Sequence, residues 1–125
     1  MEENDISFII RGCIYKVYNT LGPGLLESVY ETALAFELNE KSCHVDLQVP
    51  IPVIYNEIKL DLGFRADIIV DKKVIIEITS VENLIEVHHK QVLTYLRLSG
   101  LKLGILVNFN SDNIEHSIFR KVNNL

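Results

Sequence analysis

Apolar residues between positions 6 and 21 recur at helical spacing: Ile6, Ile9, Ile10, Cys13, Ile14, Val17 and Leu21 form one stripe of a 3.6-residue repeat. They predict a first amphipathic helix, with Asn4 or Asp5 placed to cap it. "LGPG" ends the pattern, because Gly22 can take a left-handed conformation after the last turn and Pro23 cannot extend the hydrogen-bond ladder. A second helix is predicted from about Leu25 to Lys41, with Leu26, Val29, Tyr30, Ala33, Leu34 and Leu38 on its buried side.

After Ser42 the period shortens to two. Val45, Leu47 and Val49 alternate with polar residues until Pro50 and Pro52, which predicts one strand broken or bulged at the prolines. "NEIKLDLGF" predicts a short hairpin turn into the next strand, "FRADIIV", where Phe64, Ala66, Ile68 and Val70 should share one face and Arg65, Asp67 and Ile69 the other. "KVIIEIT" is apolar on both faces, the pattern of a central strand covered on both sides. Residues 83–99 return to helical spacing with Gly100 as the cap, "KLGILVNF" predicts a further buried strand, and "IEHSIFRKV" a last short one. The order ααβββαββ makes an α/β sandwich, a mixed central sheet flanked by helices. With no repeat and no linker, residues 1–125 are expected to form a single domain.

Composition narrows the class. A chain of 125 residues, 48% hydrophobic and 23% charged, can bury roughly two thirds of its unfolded surface. No apolar run approaches the roughly 20 residues of a membrane span, and "MEENDIS" is acidic where a signal peptide is basic. A cytoplasmic location without a membrane partner is therefore expected. Cys13 and Cys43 fit neither a disulfide framework nor a CxxC metal site, and both are expected to be reduced and structural. The net charge of −5 argues against bulk electrostatic binding of nucleic acid. It is compatible with a metal site, since three carboxylates at a cation would leave −2 for the remaining surface.

Glu77 is the charge that needs explaining, because an ionised carboxylate buried without partners costs several kcal/mol. Asp67 on the preceding strand is its natural partner. In an antiparallel hairpin directly opposed residues have a constant index sum, so pairing Asp67 with Glu77 places Val70 opposite Val74 and leaves Asp71, Lys72 and Lys73 as the loop. A two-residue loop would send the carboxylates to opposite faces. Two carboxylates about 5 Å apart need a proton or a cation between them, and an all-oxygen set suits Mg²⁺ or Mn²⁺. The alternative is that Asp67 pairs with Arg65 or a lysine while Glu77 sits at a wet sheet end. His88 and His89 are adjacent on a helix and His44 and His116 are isolated, so zinc is not expected.

"GLLESVY" fits G-x-x-E-x-x-Y through Gly24, Glu27 and Tyr30, and it is followed by "VPIPVIY", "FRADIIV", "VIIEI" and "HHKQVLTYLRLSGLKLGILVNF". This ordered set, from about Ile10 to Asn110, resembles the GxxExxY protein family, a branch of the PD-(D/E)XK nuclease-like superfamily. The resemblance implies a metal-dependent phosphodiester hydrolase acting on nucleic acid. Asp67 and Glu77 match the metal-binding Asp and Glu, and Glu27 matches a helical glutamate that completes the shell. Gln91 matches a glutamine on the following helix, with Tyr95 one turn later on the same face. Where the resemblance expects a lysine, two residues after Glu77, this chain has Thr79.

A lost electrostatic stabiliser typically costs a factor of about 10² to 10³ in rate. Lys90, Arg65 and His88 are the candidate substitutes, although Lys90 and Gln91 point about 100° apart on a helix. The alternative implied by Thr79 is a catalytically inactive domain of the same fold that binds nucleic acid or a protein partner. Gly24 can also serve only to enter the second helix, Tyr30 only as core, and Glu27 only to complement a helix dipole. Homo-oligomerisation is left open.

Overall fold

The computed structural model describes residues 1–61 and 63–125. Its elements, in order, are α1 (Glu3–Leu21), α2 (Glu27–Glu40), β1 (Val45–Pro50), β2 (Val53–Tyr55), β3 (Ile58–Leu60), β4 (Arg65–Val70), β5 (Val74–Thr79), α3 (Glu86–Ser99), β6 (Leu103–Asn108) and β7 (Ile118–Val122), with a 3-10 turn at Ile114–Ser117. The main sheet runs β1-β4-β5-β6-β7. Its one parallel step, β5 to β6, needs a crossover, and α3 supplies it. Helices α1 and α2 cover one face, where Ile6, Ile10, Ile14, Leu34 and Leu38 meet Ile68, Val70, Ile76, Ile78 and Ile105. Helix α3 covers the other, where Tyr95 and Leu96 meet Ala66, Ile69 and Ile75. The mixed sheet between helix layers is the predicted architecture. Among the described residues no helix is long and apolar enough to cross a membrane.

Several local expectations change. Helix α1 begins at Glu3, not after Asn4 or Asp5; Glu2 is extended before it and its N–H donates to the Asp5 carboxylate at 3.0 Å. Helix α2 begins at Glu27, and its buried stripe is Tyr30, Leu34, Ala35 and Leu38. Leu26 and Val29 are exposed instead, because Leu26 precedes the helix and Val29 lies about 100° round it from Tyr30. Gly22 has φ 69° but ψ −177°, an extended rather than left-handed helical conformation that glycine tolerates best. Gly100, at φ 77° and ψ 3°, is the left-handed cap expected. Residues 53–60 form a separate two-stranded ribbon, β2 with β3; Leu62, within the predicted turn "NEIKLDLGF", lies outside the described residues.

The largest correction concerns strand faces. Val45 packs with the α1/α2 layer and Val49 with the α3 layer, and Ile68 and Ala66 divide in the same way. Simple alternation puts each of these pairs on one face. Between them, β1 and β4 keep one register, with Leu47 opposite Ile68 and Val49 opposite Ala66, but the step at Gln48 and Asp67 is not paired. Gln48 has φ 49°, a left-handed turn of the backbone inside a strand. The change of face therefore occurs at that step.

Gly104 on β6 lies directly beneath α3. A methyl group there would stand 2.6 Å from Val92 Cγ1. Gly104→Ala is expected to destabilise the fold by about 1–3 kcal/mol, as overpacking does, and Val92→Ala in the same chain should recover part of that loss. Urea denaturation of the two variants checks this; an unaffected Gly104→Ala protein would contradict the close seating of α3.

Candidate active site

The hairpin from β4 to β5 pairs Ile68 with Ile76, Ile69 with Ile75 and Val70 with Val74, each pair summing to 144. The three-residue loop therefore has the odd register that sets Asp67 beside Glu77. It contains no glycine, and Asp71 and Lys72 take φ of 51° and 56°. Asp71 tolerates this better than most residues, and its carboxylate is fixed by the His44 N–H at 2.7 Å.

At the next step the ladder stops and side chains replace it. Glu77 Oε1 accepts the Asp67 N–H at 3.1 Å, and Asp67 Oδ2 accepts the Ile78 N–H at 2.8 Å. Each carboxyl group satisfies a backbone donor that the parting of β4 and β5 would leave without a partner. The two acids are thereby held in the gap between the strands.

Asp67 also opens on a cleft of about 360 Å³ lined by Glu27, Ser28, Glu31, Gln48 and Ile78. Gln48 Nε2 donates to Glu31 Oε1 at 2.6 Å and to Asp67 Oδ1 at 3.3 Å. Glu31 and Gln48 are the two residues that sequence reasoning missed. Glu31 lies one helical turn after Glu27, hence on the same side of α2. Gln48 follows from the β1–β4 register, in which index sums of 115 place it across from Asp67. Glu27, in the first turn of α2, is exposed and reaches the cleft wall.

The site is acidic. Burial first, then the charges of Asp67 and, more weakly, Glu31, push the Glu77 carboxyl up to about 9, offset in part by the Asp67 N–H. Burial and the Asp67 charge likewise raise Glu31, against the pull of the Gln48 amide. Among the described residues the ion pairs are Lys16–Glu37, His44–Asp46 and Lys72–Asp46. None involves these carboxylates, so Arg65 does not pair with Asp67.

On the α3 side, Tyr95 is buried and its hydroxyl accepts the Gln91 Nε2 donor at 2.8 Å. Burial first, then the Glu77 charge, raise the Tyr95 hydroxyl above its ordinary value. Thr79 Oγ1 donates to Val107 O on β6 at 3.1 Å, a bond between strands. Lys90 is exposed. His88 Nδ1 accepts the Ile85 N–H at the start of α3, and His89 lies edge-on to Phe119. Tyr30 is fully buried, stacked on Phe109, and its hydroxyl donates to Gly22 O and accepts the Leu25 N–H. Tyr30 thus fixes the α1–α2 connection, in which Gly24 supplies a φ of 97°.

Among the described residues no three His, Cys, Asp or Glu side chains form a ready metal-binding group, and Glu77 is not part of the cleft wall. The donor chemistry nonetheless fits a hard divalent cation. Asp67, Glu77 and Glu31 offer only oxygens, burial and the Asp67 charge favour the protonated form of Glu77, and a cation is what would replace that proton.

The match to a family model described as the PD-(D/E)XK nuclease superfamily extends over residues 4–121. A solved structure titled "Crystal structure of SSO0001" is similar, with a TM-score of 0.58 and 25% identity over 79% of this chain and 51% of that one. The chain thus spans about half the length of that protein. Among curated proteins, none matches.

Glu77 ionises near 4.5 when unfolded and near 9 when folded. Between those values the folded state holds the extra proton, so stability is complete below about 4.5 and falls as pH rises towards 9. In the metal-free protein Glu77→Gln should flatten that decline and raise the melting temperature at pH 8 by about 4 °C or more, the equivalent of about 1 kcal/mol. Calorimetric scans from pH 5 to pH 9 in a chelator check it; a steep decline retained in Glu77→Gln would assign the effect to another group.

Proposed function

Since the chain belongs to the PD-(D/E)XK nuclease superfamily, we propose that it is a Mg²⁺- or Mn²⁺-dependent phosphodiester hydrolase of nucleic acid, slow because its site lacks a cation of its own. The observation that carries this reading is the pair Asp67 and Glu77, held by each other's backbone amides in the gap between β4 and β5. These two would hold the ion, with Glu31 and Glu27 on the cleft wall beside them. When bound, such an ion supplies charge on the phosphoryl oxygen and a water of lowered pKa.

The chain's own groups divide the remaining tasks. Glu77 would release its proton to solvent where an ion is held, and its carboxylate would then serve as a ligand. Tyr95, held by Gln91, closes the α3 side of the pair against water. Thr79 occupies the position where the resemblance expects a lysine, and its hydroxyl is already spent on Val107 O. Gly24, Glu27 and Tyr30 support the narrower placement in the GxxExxY family, and a nucleic acid met in the cytoplasm is the substrate this reading takes.

The same Thr79 bond, with no ion pair to Glu77 among the described residues, favours a second reading: a domain that binds nucleic acid without cutting it. Cleavage of plasmid DNA and of RNA in Mg²⁺ or Mn²⁺ separates the two. Slow cleavage is expected from the native chain, loss of it in Glu77→Ala, and a gain of about 10² in Thr79→Lys if the lysine restores electrostatic stabilisation. Cleavage that persists in Glu77→Ala would sink the enzyme assignment. Nucleic-acid binding with no cleavage from either the native chain or Thr79→Lys would establish the binding domain.

A further inference from the structure

We propose that Gln48 is a positioning residue for the cation site, one that holds Asp67 towards the cleft in the metal-free protein and presents its own amide oxygen once an ion is bound. The inference rests on the hydrolase reading and assigns to that site a residue outside the superfamily's Asp, Glu and lysine positions. The backbone is the first reason. Gln48 sits at φ 49° in the middle of β1, a left-handed conformation that is strained for a residue other than glycine. The ladder closes in the same register on both sides, Leu47 to Ile68 and Val49 to Ala66. No residue is inserted, so the distortion is not a bulge. An ordinary strand residue would complete the pairing without strain.

What the distortion achieves is the side-chain placement. A single amide nitrogen lies 2.6 Å from Glu31 Oε1 and 3.3 Å from Asp67 Oδ1. Its two protons offset two carboxylates that no lysine, arginine or histidine pairs with among the described residues. Asp67 Oδ2 is committed to the Ile78 N–H, so the Gln48 bond determines that Oδ1 is the oxygen facing the cleft. A neutral amide keeps that oxygen available, because it can be displaced without separating an ion pair. Rotation about the last side-chain torsion then exchanges NH₂ for Oε1, and amide oxygens are accepted ligands of hard divalent ions. Gln48 is exposed, which leaves the amide free to turn.

The test titrates Mn²⁺ into the whole chain and follows free Mn²⁺ by electron paramagnetic resonance, a readout independent of activity. Gln48→Leu should weaken binding by about 10- to 100-fold, the usual effect of losing a group that orients a metal ligand. Gln48→Glu keeps an oxygen but no donor, and should bind at least as tightly as the native chain. If Gln48→Leu does not fold, Gln48→Asn, whose amide is one methylene short of spanning both carboxylates, should show the same loss. Native affinity in Gln48→Leu or Gln48→Asn overturns the proposal while leaving the cation site intact. So does equal weakening of Gln48→Glu and Gln48→Leu, because a bridge that is merely structural needs the donor and not the oxygen. A native chain that binds no Mn²⁺ removes the hydrolase reading, and this role for Gln48 with it.

Discussion

Two carboxyl groups share one gap in the sheet, and much of the molecule is arranged around that fact. Asp67 and Glu77 stand where β4 and β5 cease to pair, each accepting a backbone N–H that the parting strands would otherwise leave without a partner. An unsatisfied buried amide costs about 1–3 kcal/mol, so the acids stabilise the sheet at the place where they open it. The same contacts bring two acidic groups together, Glu77 in a buried setting and Asp67 at the edge of the cleft, and either a proton or a cation must then relieve them. The fold holds the acids in place, and their proximity leaves the site short of positive charge.

That shortage is not corrected within the site. Among the described residues no ion pair involves Asp67, Glu77 or Glu31, and the cleft wall beside Asp67 is made by Glu27, Ser28, Glu31, Gln48 and Ile78. Gln48 supplies the compensation available in a neutral side chain, and its strained backbone coincides with the step at which β1 and β4 change face. Local strain, the exchange of faces and the acid pair are thus one feature seen in three ways. Helix α3 completes the surroundings from the other side through Gln91 and Tyr95, and Gly104 allows that helix to sit close to the sheet.

Much of this is legible in the residues themselves. The period of apolar positions gives the helices and the central strands, because burial on one stripe or on both faces leaves a direct imprint on sequence. The odd loop Asp71 to Lys73 follows from parity alone, once Glu77 is recognised as a charge in need of a partner. What escapes is whatever depends on a broken rule. Val49 and Ala66 lie on the faces opposite to those alternation assigns, the change falling at the unpaired step where Gln48 adopts a positive φ, and glutamine carries no compositional mark of such a conformation. Glu31 escapes for a different reason: a second carboxylate one turn after Glu27 looks like an ordinary solvated helix position until β1 is folded against it. The small β2–β3 ribbon is obscured by Pro50 and Pro52, which mark an interruption of β1 without revealing that the chain resumes as two short paired strands.

The central claim is that Glu77 keeps its proton until a cation takes its place. Labelling glutamate side chains with ¹³C and following the Glu77 Cδ resonance through a pH titration measures this directly. The account predicts a midpoint near 9 in the metal-free protein and a fall towards the ordinary carboxylate range when Mg²⁺ is added. A midpoint near 4.5 without metal would mean that the two acids do not share a gap short of positive charge, and would contradict the account.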